Sequence, residues 1–384
     1  MRRYFNKGKN PAKISVLVLF CLMCCTCSRG MRSSATIFSV NIHTQAPLAD
    51  FISSYDGCLV LDTPEDGLLE AVSKIRIEND TLYVLDEPRR AIHFFDCRTG
   101  IWLGKIAKTG RGPGEYLDLW DFDVRNSRIY VLSFAGRKIN VYAPSGELVS
   151  ELKLECGYTK LSVLDEHAIW LYSEKSNNGS YNYVLYDPLE SKIKAKFDWF
   201  PENESYSRGG ISPFCYRDAD TLFVAKFFDN IVYYLTKESY GPVFQFDFNT
   251  KYRIAQKDLQ RKNGQELSKD FKWKEVLRRI CYIEKTGDTV YAVAECFFDE
   301  LAIRQCLLKV DMRDKSVEFY RLGDAVDSDY PFISASRVLG FDKGRIISIE
   351  NALSVQRLAK EHNIHGVEAI HEEQNPVLFF YRLK

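Results

Sequence analysis

The sequence predicts an all-β fold, a six-bladed β-propeller of four-stranded antiparallel blades, and three observations carry the prediction. Phe, Tyr and Trp number 25, 22 and 5 among 384 residues, and aromatic side chains favour pleated, half-buried surfaces over helices. One pattern of short apolar strands and turns recurs along the chain in blade-sized steps. Between most copies no helical period intervenes.

The clearest copy is KIRIENDTLYVLDEPRRAIHFFDCRTGIWLGKIAK, residues 74–108. Its pieces alternate apolar and polar residues, and the joints END, DEPRR and CRTG are turn chemistry, so it reads as a four-stranded meander. A second copy spans 119–154, with RNS, AGRK and PSG at the matching joints. Further copies span 160–197, 214–248 and 280–322, and the sixth runs over 334–351 and resumes at PVLFFYRLK. The second-strand anchors Tyr83, Tyr130, Trp170, Phe223, Tyr291 and Ile347 stand 47, 40, 53, 68 and 56 residues apart. The sixth copy shows only three strands, while the strand-like run GCLVLDT at 57–63 precedes the first. That N-terminal strand is therefore expected to complete blade six and close the ring, removing an exposed edge. Two insertions are helical in character. Residues 257–280 place Leu259, Leu267, Phe271, Val276, Leu277 and Ile280 at loosely helical intervals among dense charges. Residues 351–375 interrupt blade six and are expected to cap one face.

Three segments divide the chain: a signal over 1–27, a linker over 28–54 and the propeller over 55–384. Residues 1–13 carry five positive charges and no acid, and the apolar run ISVLVLFCLM after them is too short to span a bilayer. Cys24, Cys25 and Cys27 crowd the region where cleavage is expected. Seven cysteines follow residue 27, an odd number without a CxxC pair, most of them inside apolar runs. They read as buried free thiols, and no zinc site is supported. Lys+Arg and Asp+Glu both number 52, which removes the electrostatic footprint of a nucleic-acid binder.

The stretches LYVLD, FFDCRTG, GRGPGEY and VYAPSGEL resemble the six-bladed β-propeller lipoproteins of Bacteroidetes, which are similar in outline to NHL-type and TolB-type propellers. The resemblance covers residues 55–384 and implies the fold and a cell-envelope location; it supplies no catalytic set. CCTCSRG resembles a lipoprotein processing site, with lipidation at Cys27 or alternatively at Cys25. A plain secretory signal accounts for the same segment, and Arg2-Arg3 is also similar to a twin-arginine export signal. SRGMRSS after Cys27 lacks the acidic run of many surface-exported relatives, so the periplasmic side is expected.

TGRGPGEY, residues 109–116, joins blades one and two. Its glycines permit positive φ, but it leads into a strand, whereas phosphate-binding glycine loops open helices. Arg111 and Glu115 would fix the turn, or, with Tyr116, line a pocket where the channel opens. Asp121 and Asp123 alternate with Phe122 and Val124, so both carboxylates share one face of an innermost strand. They read as a polar channel lining, with acid–base chemistry or calcium binding as the sharper options. Arg208, beside Tyr206 in the crossing before blade four, is a further ligand candidate. His362, His365 and His371 lack the spacing of a zinc helix, and His43, His93 and His167 are isolated. No metal, cofactor or catalytic set is expected. The expected role is a binding module for a glycan, peptide or protein ligand, anchored to a membrane by lipid. A carbohydrate-active hydrolase or lyase, and a docking subunit of an envelope complex, are the alternatives.

Overall fold

The computed structural model describes residues 35–173, 181–199, 212–218, 220–250, 275–298, 303–323, 327, 329–362, 367, 370, 371 and 373–384. The propeller is the compact unit Ala35–Lys384. Its strands form six sheets. Blade one comprises β3 (Lys74–Glu78), β4 (Thr81–Asp86), β5 (Ala91–Asp96) and β6 (Trp102–Ile106), and blade two β7 (Asp121–Arg125), β8 (Arg128–Ser133), β9 (Lys138–Tyr142) and β10 (Leu148–Lys153). Blade three runs from β11 (Lys160–Asp165) through β12 (Ala168–Tyr172) and β13 (Tyr181–Asp187) to β14 (Lys192–Trp199). Blade four holds β15 (Phe214–Asp218), β16 (Thr221–Ala225), β17 (Ile231–Leu235) and β18 (Tyr240–Phe248). Blade five holds β19 (Val276–Thr286), β20 (Thr289–Phe297), β21 (Ile303–Asp311) and β22 (Val317–Arg321). Blade six holds β23 (Arg337–Asp342), β24 (Arg345–Glu350) and β25 (Val377–Leu383).

Burial follows strand position. The middle strands of blade two, β8 and β9, are almost wholly buried, while its last strand β10 alternates between intermediate and exposed residues. Middle strands are covered on both faces by neighbouring blades, so their sequences read as apolar runs. Around the axis, among the described residues, the first strands of neighbouring blades lie against one another at five of the six seams, all but that between blades three and four. Apolar clusters fill the seams; Leu85, Phe94, Tyr116, Phe122 and Ile129 join blades one and two. The repeated turns take the same form. Asn79 and Asp80, then Asn126 and Ser127, both have positive φ between two antiparallel strands, the geometry that suits the strand twist of tight hairpins.

The ring closes as expected: β2 (Ile52–Val60) is the fourth strand of blade six, antiparallel to β25. The preceding segment differs from the linker expected over 28–54. β1 (Thr36–Val40) adds a fifth, parallel strand to blade four along β18. The chain then crosses the edge of blade five, where Ala46 N–H donates to the Phe319 carbonyl at 2.9 Å and the Gln45 side chain accepts from Arg321 N–H at 2.8 Å. Unpaired edge donors and acceptors attract such a segment whatever its apparent looseness in sequence.

The first helical insertion lies outside the described residues over 257–274, and Val276–Ile280 belong to β19 instead. Pairing with β20 overrides the loose helical spacing there. The second insertion contains helix α2 (Ala352–His362), preceded in the chain by a short helix α1 (Pro331–Ala335). The Asn351 side chain caps α2, accepting Ser354 N–H at 2.8 Å. Its apolar face, Ala352, Val355 and Leu358, packs with Phe332 and Phe379 against blades five and six.

Candidate axial binding site

Repeat spacing places charged residues of successive innermost strands at matching heights. Lys74 Nζ donates to Asp121 Oδ1 and to the Phe122 carbonyl, each at 2.7 Å. Arg76 Nε donates to Asp123 Oδ1 at 2.8 Å, and Arg217 Nη1 to Asp123 Oδ2 at 2.9 Å. From the other side, the N–H groups of Leu161 and Val163 donate to Asp121 at 3.0 Å and to Asp123 at 2.8 Å. Both aspartates are completely buried. Burial pushes the Asp123 carboxyl upward, but Arg217, Arg76 and Lys74 outweigh it and hold the group well below the usual carboxylate range. Burial also lowers the Lys74 ammonium to about 8, against the pull of Asp121. Asp121 and Asp123 thus lock blades one to four together, and their oxygens are occupied by protein donors.

In front of this network lies an axial cavity of about 430 Å³, lined by residues of blades one, three, four, five and six. Arg76, Ser162, Tyr216, Arg217, Tyr282 and Glu284 supply most of its polar wall, and Asp342 and Lys343 complete it. The hydroxyls of Ser162, Tyr216 and Tyr282, Arg76 Nη2, and Arg217 Nε and Nη2 make no hydrogen bond among the described residues. Glu284 accepts Gly344 N–H at 3.1 Å, and burial raises its carboxyl. Burial likewise pushes the Tyr282 phenol up to about 12. Several unspent donors therefore line one concave space, the usual form of a small-ligand site.

TGRGPGEY takes a different place. It carries the chain from the outermost strand of blade one to the innermost of blade two, as expected, but Arg111, Glu115 and Tyr116 do not line the axial cavity. Tyr116 is fully buried; its hydroxyl donates to the Arg90 carbonyl at 2.7 Å and accepts from Lys108 N–H at 3.1 Å. The Glu115 carboxylate accepts Gly112 N–H at 2.7 Å, inside the loop. A Cβ at Gly110 would stand 2.0 Å from that carboxylate, so a larger residue there would displace the Glu115 side chain from its bond to Gly112. No ion pair joins Arg111 to Glu115; the turn is fixed instead by the backbone hydrogen bond that Glu115 accepts. Arg111 is exposed and lines an open groove on blade two with Arg137, Lys138, Glu151 and Lys153.

Arg208 and Tyr206 lie outside the described residues, as does His365. Among the described residues no group of His, Cys, Asp or Glu is arranged to hold a metal ion. All seven described cysteines are free, and Cys215, Cys281, Cys296 and Cys306 are buried. Sequence reasoning missed Arg76, Ser162, Tyr216, Arg217, Tyr282 and Glu284. A signal existed for Arg76, which precedes Asp123 by one blade step, the 47 residues that separate Tyr83 from Tyr130.

A search of curated proteins returned no match. Among solved structures, the chain is similar to a protein of Bacteroides fragilis described as exported, with 18% identity, a TM-score of 0.72, and coverage of 91% of this chain and 100% of that one. It is also similar to a DUF4221 family member from Bacteroides vulgatus, with 12% identity, a TM-score of 0.56, and coverage of 87% and 98%. At these identities the likeness concerns the fold. Residues 38–382 match DUF4934, a domain of unknown function, and the chain belongs to that family.

Proposed function

We propose that this chain is an envelope lipoprotein whose propeller binds a small polar ligand, a glycan or peptide unit, in its axial cavity. One observation carries the reading. The hydroxyls of Ser162, Tyr216 and Tyr282 come from three blades and face a space of about 430 Å³ without partners among the described residues, a volume in the range of small-molecule sites. Aromatic rings that also carry a hydroxyl suit a sugar face or a peptide plane. The hydrolase or lyase alternative is not favoured, because Asp121, Asp123 and Glu115 are all engaged by protein donors. Lipidation at Cys27, or at Cys25, and a periplasmic orientation complete the reading; the exported Bacteroides neighbour supports passage into the envelope. No helix among the described residues is long and apolar enough to cross a membrane.

A thermal-shift screen of neutral and charged glycans and short peptides tests the site. A ligand should raise the melting temperature of the wild type and do so less in Tyr282→Phe. Ligands that stabilise both proteins equally, or none at all, would count against the cavity. For the anchor, fatty-acid labelling should be lost in Cys27→Ser; loss in Cys25→Ser alone would move the site to Cys25.

A further inference from the structure

We infer that the axial cavity holds its ligand through a carboxylate, which docks on the unspent N–H groups of Arg76 and Arg217 with the Tyr282 hydroxyl as a further donor. The inference rests on the reading that this cavity is the binding site. Asp123 gives one oxygen to each guanidinium, at 2.8 Å and 2.9 Å, and so fixes both at the cavity wall. Arg217 is anchored through Nη1 alone, which leaves its Nε–Nη2 edge, the side of the fork that takes a carboxylate in bidentate fashion. Arg76 is anchored through Nε and Nη1 and keeps Nη2.

Charge points the same way. Lys74, Arg76 and Arg217 contribute three positive charges to this network and Asp121 and Asp123 two negative ones, leaving one in excess. The acids elsewhere on the wall do not cancel it. Asp342 is paired with Arg345 at 2.7 Å, and Lys343, which lines the same wall, offsets the charge of Glu284. A fixed positive site with open donors favours an anion over a neutral group, because the donors are oriented before the ligand arrives. The carboxylate could belong to an acidic sugar or to a peptide C-terminus, and the unpartnered hydroxyls of Ser162 and Tyr216 suit the remainder of either.

Titration calorimetry on the full chain, with glucuronate against methyl glucoside and N-acetyl-dialanine against its amide, tests the inference and separates the two sources. The carboxylate member of at least one pair should bind about tenfold or more tightly than its uncharged counterpart. Arg217→Gln should remove that preference, and Arg217→Lys should restore only part of it. Because Arg217→Gln could disturb the fold through Asp123, Tyr282→Phe serves as the second variant, with an expected loss of about threefold for the carboxylate. Equal binding of charged and uncharged members, weakened by Tyr282→Phe, would overturn the carboxylate and leave the cavity reading standing. No binding by any of the four compounds would overturn the carboxylate, and only a ligandless thermal-shift screen would then remove the cavity as well. A carboxylate preference that survives Arg217→Gln in a folded protein would also overturn it.

Discussion

Asp123 shows how much one side chain can carry in this ring. It touches strands of blades one, three and four from its own place in blade two. Its carboxyl titrates below the unfolded value of about 4, so it stabilises the fold above that pH and the contribution fades as pH falls through the native value. Asp123→Asn should lower stability by about 3–5 kcal/mol, since two guanidiniums lose their counter-charge. Chemical denaturation would show this as a lower midpoint, and the variant should lose stability less steeply below pH 4 than the wild type. His93 behaves in the opposite chemical sense. Its ring is 1% exposed with neither nitrogen partnered, and burial pushes it down to about 4. The unfolded chain therefore binds a proton near pH 6.5 that the native chain refuses until about 4, and stability falls as pH drops across that window. The loss should approach 2–3 kcal/mol, about what such a shift implies, and His93→Phe should flatten the slope in melts between pH 7 and 4. The alternation of Asp121 and Asp123 was legible in sequence; Arg217 was not, because its contact spans 94 residues and two blades.

At the scale of elements, the loop at 109–116 divides into a rigid part and a free part. Gly114 N–H donates to Glu151 at 2.7 Å, the Gly114 carbonyl accepts from the Tyr142 hydroxyl at 2.6 Å, and the Glu115 carbonyl accepts from Asn140 at 3.1 Å. These bonds pin the loop to β9 and β10, so its glycines and Glu115 serve the seam between blades. Gly110→Ala should cost about 0.5–1.5 kcal/mol by displacing the Glu115 carboxylate from Gly112 N–H, whereas Arg111→Ala should stay within about 0.5 kcal/mol of wild type. Thermal melts of the two variants side by side check the division; a large loss in Arg111→Ala would place that side chain in a contact the structure does not contain. The turn chemistry was readable from glycine, proline and acidic residues alone. What those residues could not show is which side chain the loop embraces, since Glu115 reaches back within the loop and Arg111 turns outward.

The whole molecule depends on its N-terminal segment more than its sequence suggests. Residues 36–60 edge blade four through β1, cross blade five at Gln45 and Ala46, and complete blade six through β2. Removing residues up to 51 should keep the ring closed but uncover the edge of β18, lowering the melting temperature and promoting self-association visible in size-exclusion chromatography. Removing residues up to 60 should abolish cooperative unfolding, because blade six loses its fourth strand and the seam with blade one. The sequence by itself determined the blades: apolar alternation, turn residues and the recurring step are local signals, and each blade is a local meander. It also determined closure, because one blade lacked a strand and one strand lacked a blade. Tertiary structure alone decided the strap over blades four and five, the engagement of both aspartates, and the axial cavity. Those features arise where residues from several blades meet, and the pairing energies that fix them act between segments that no local pattern links.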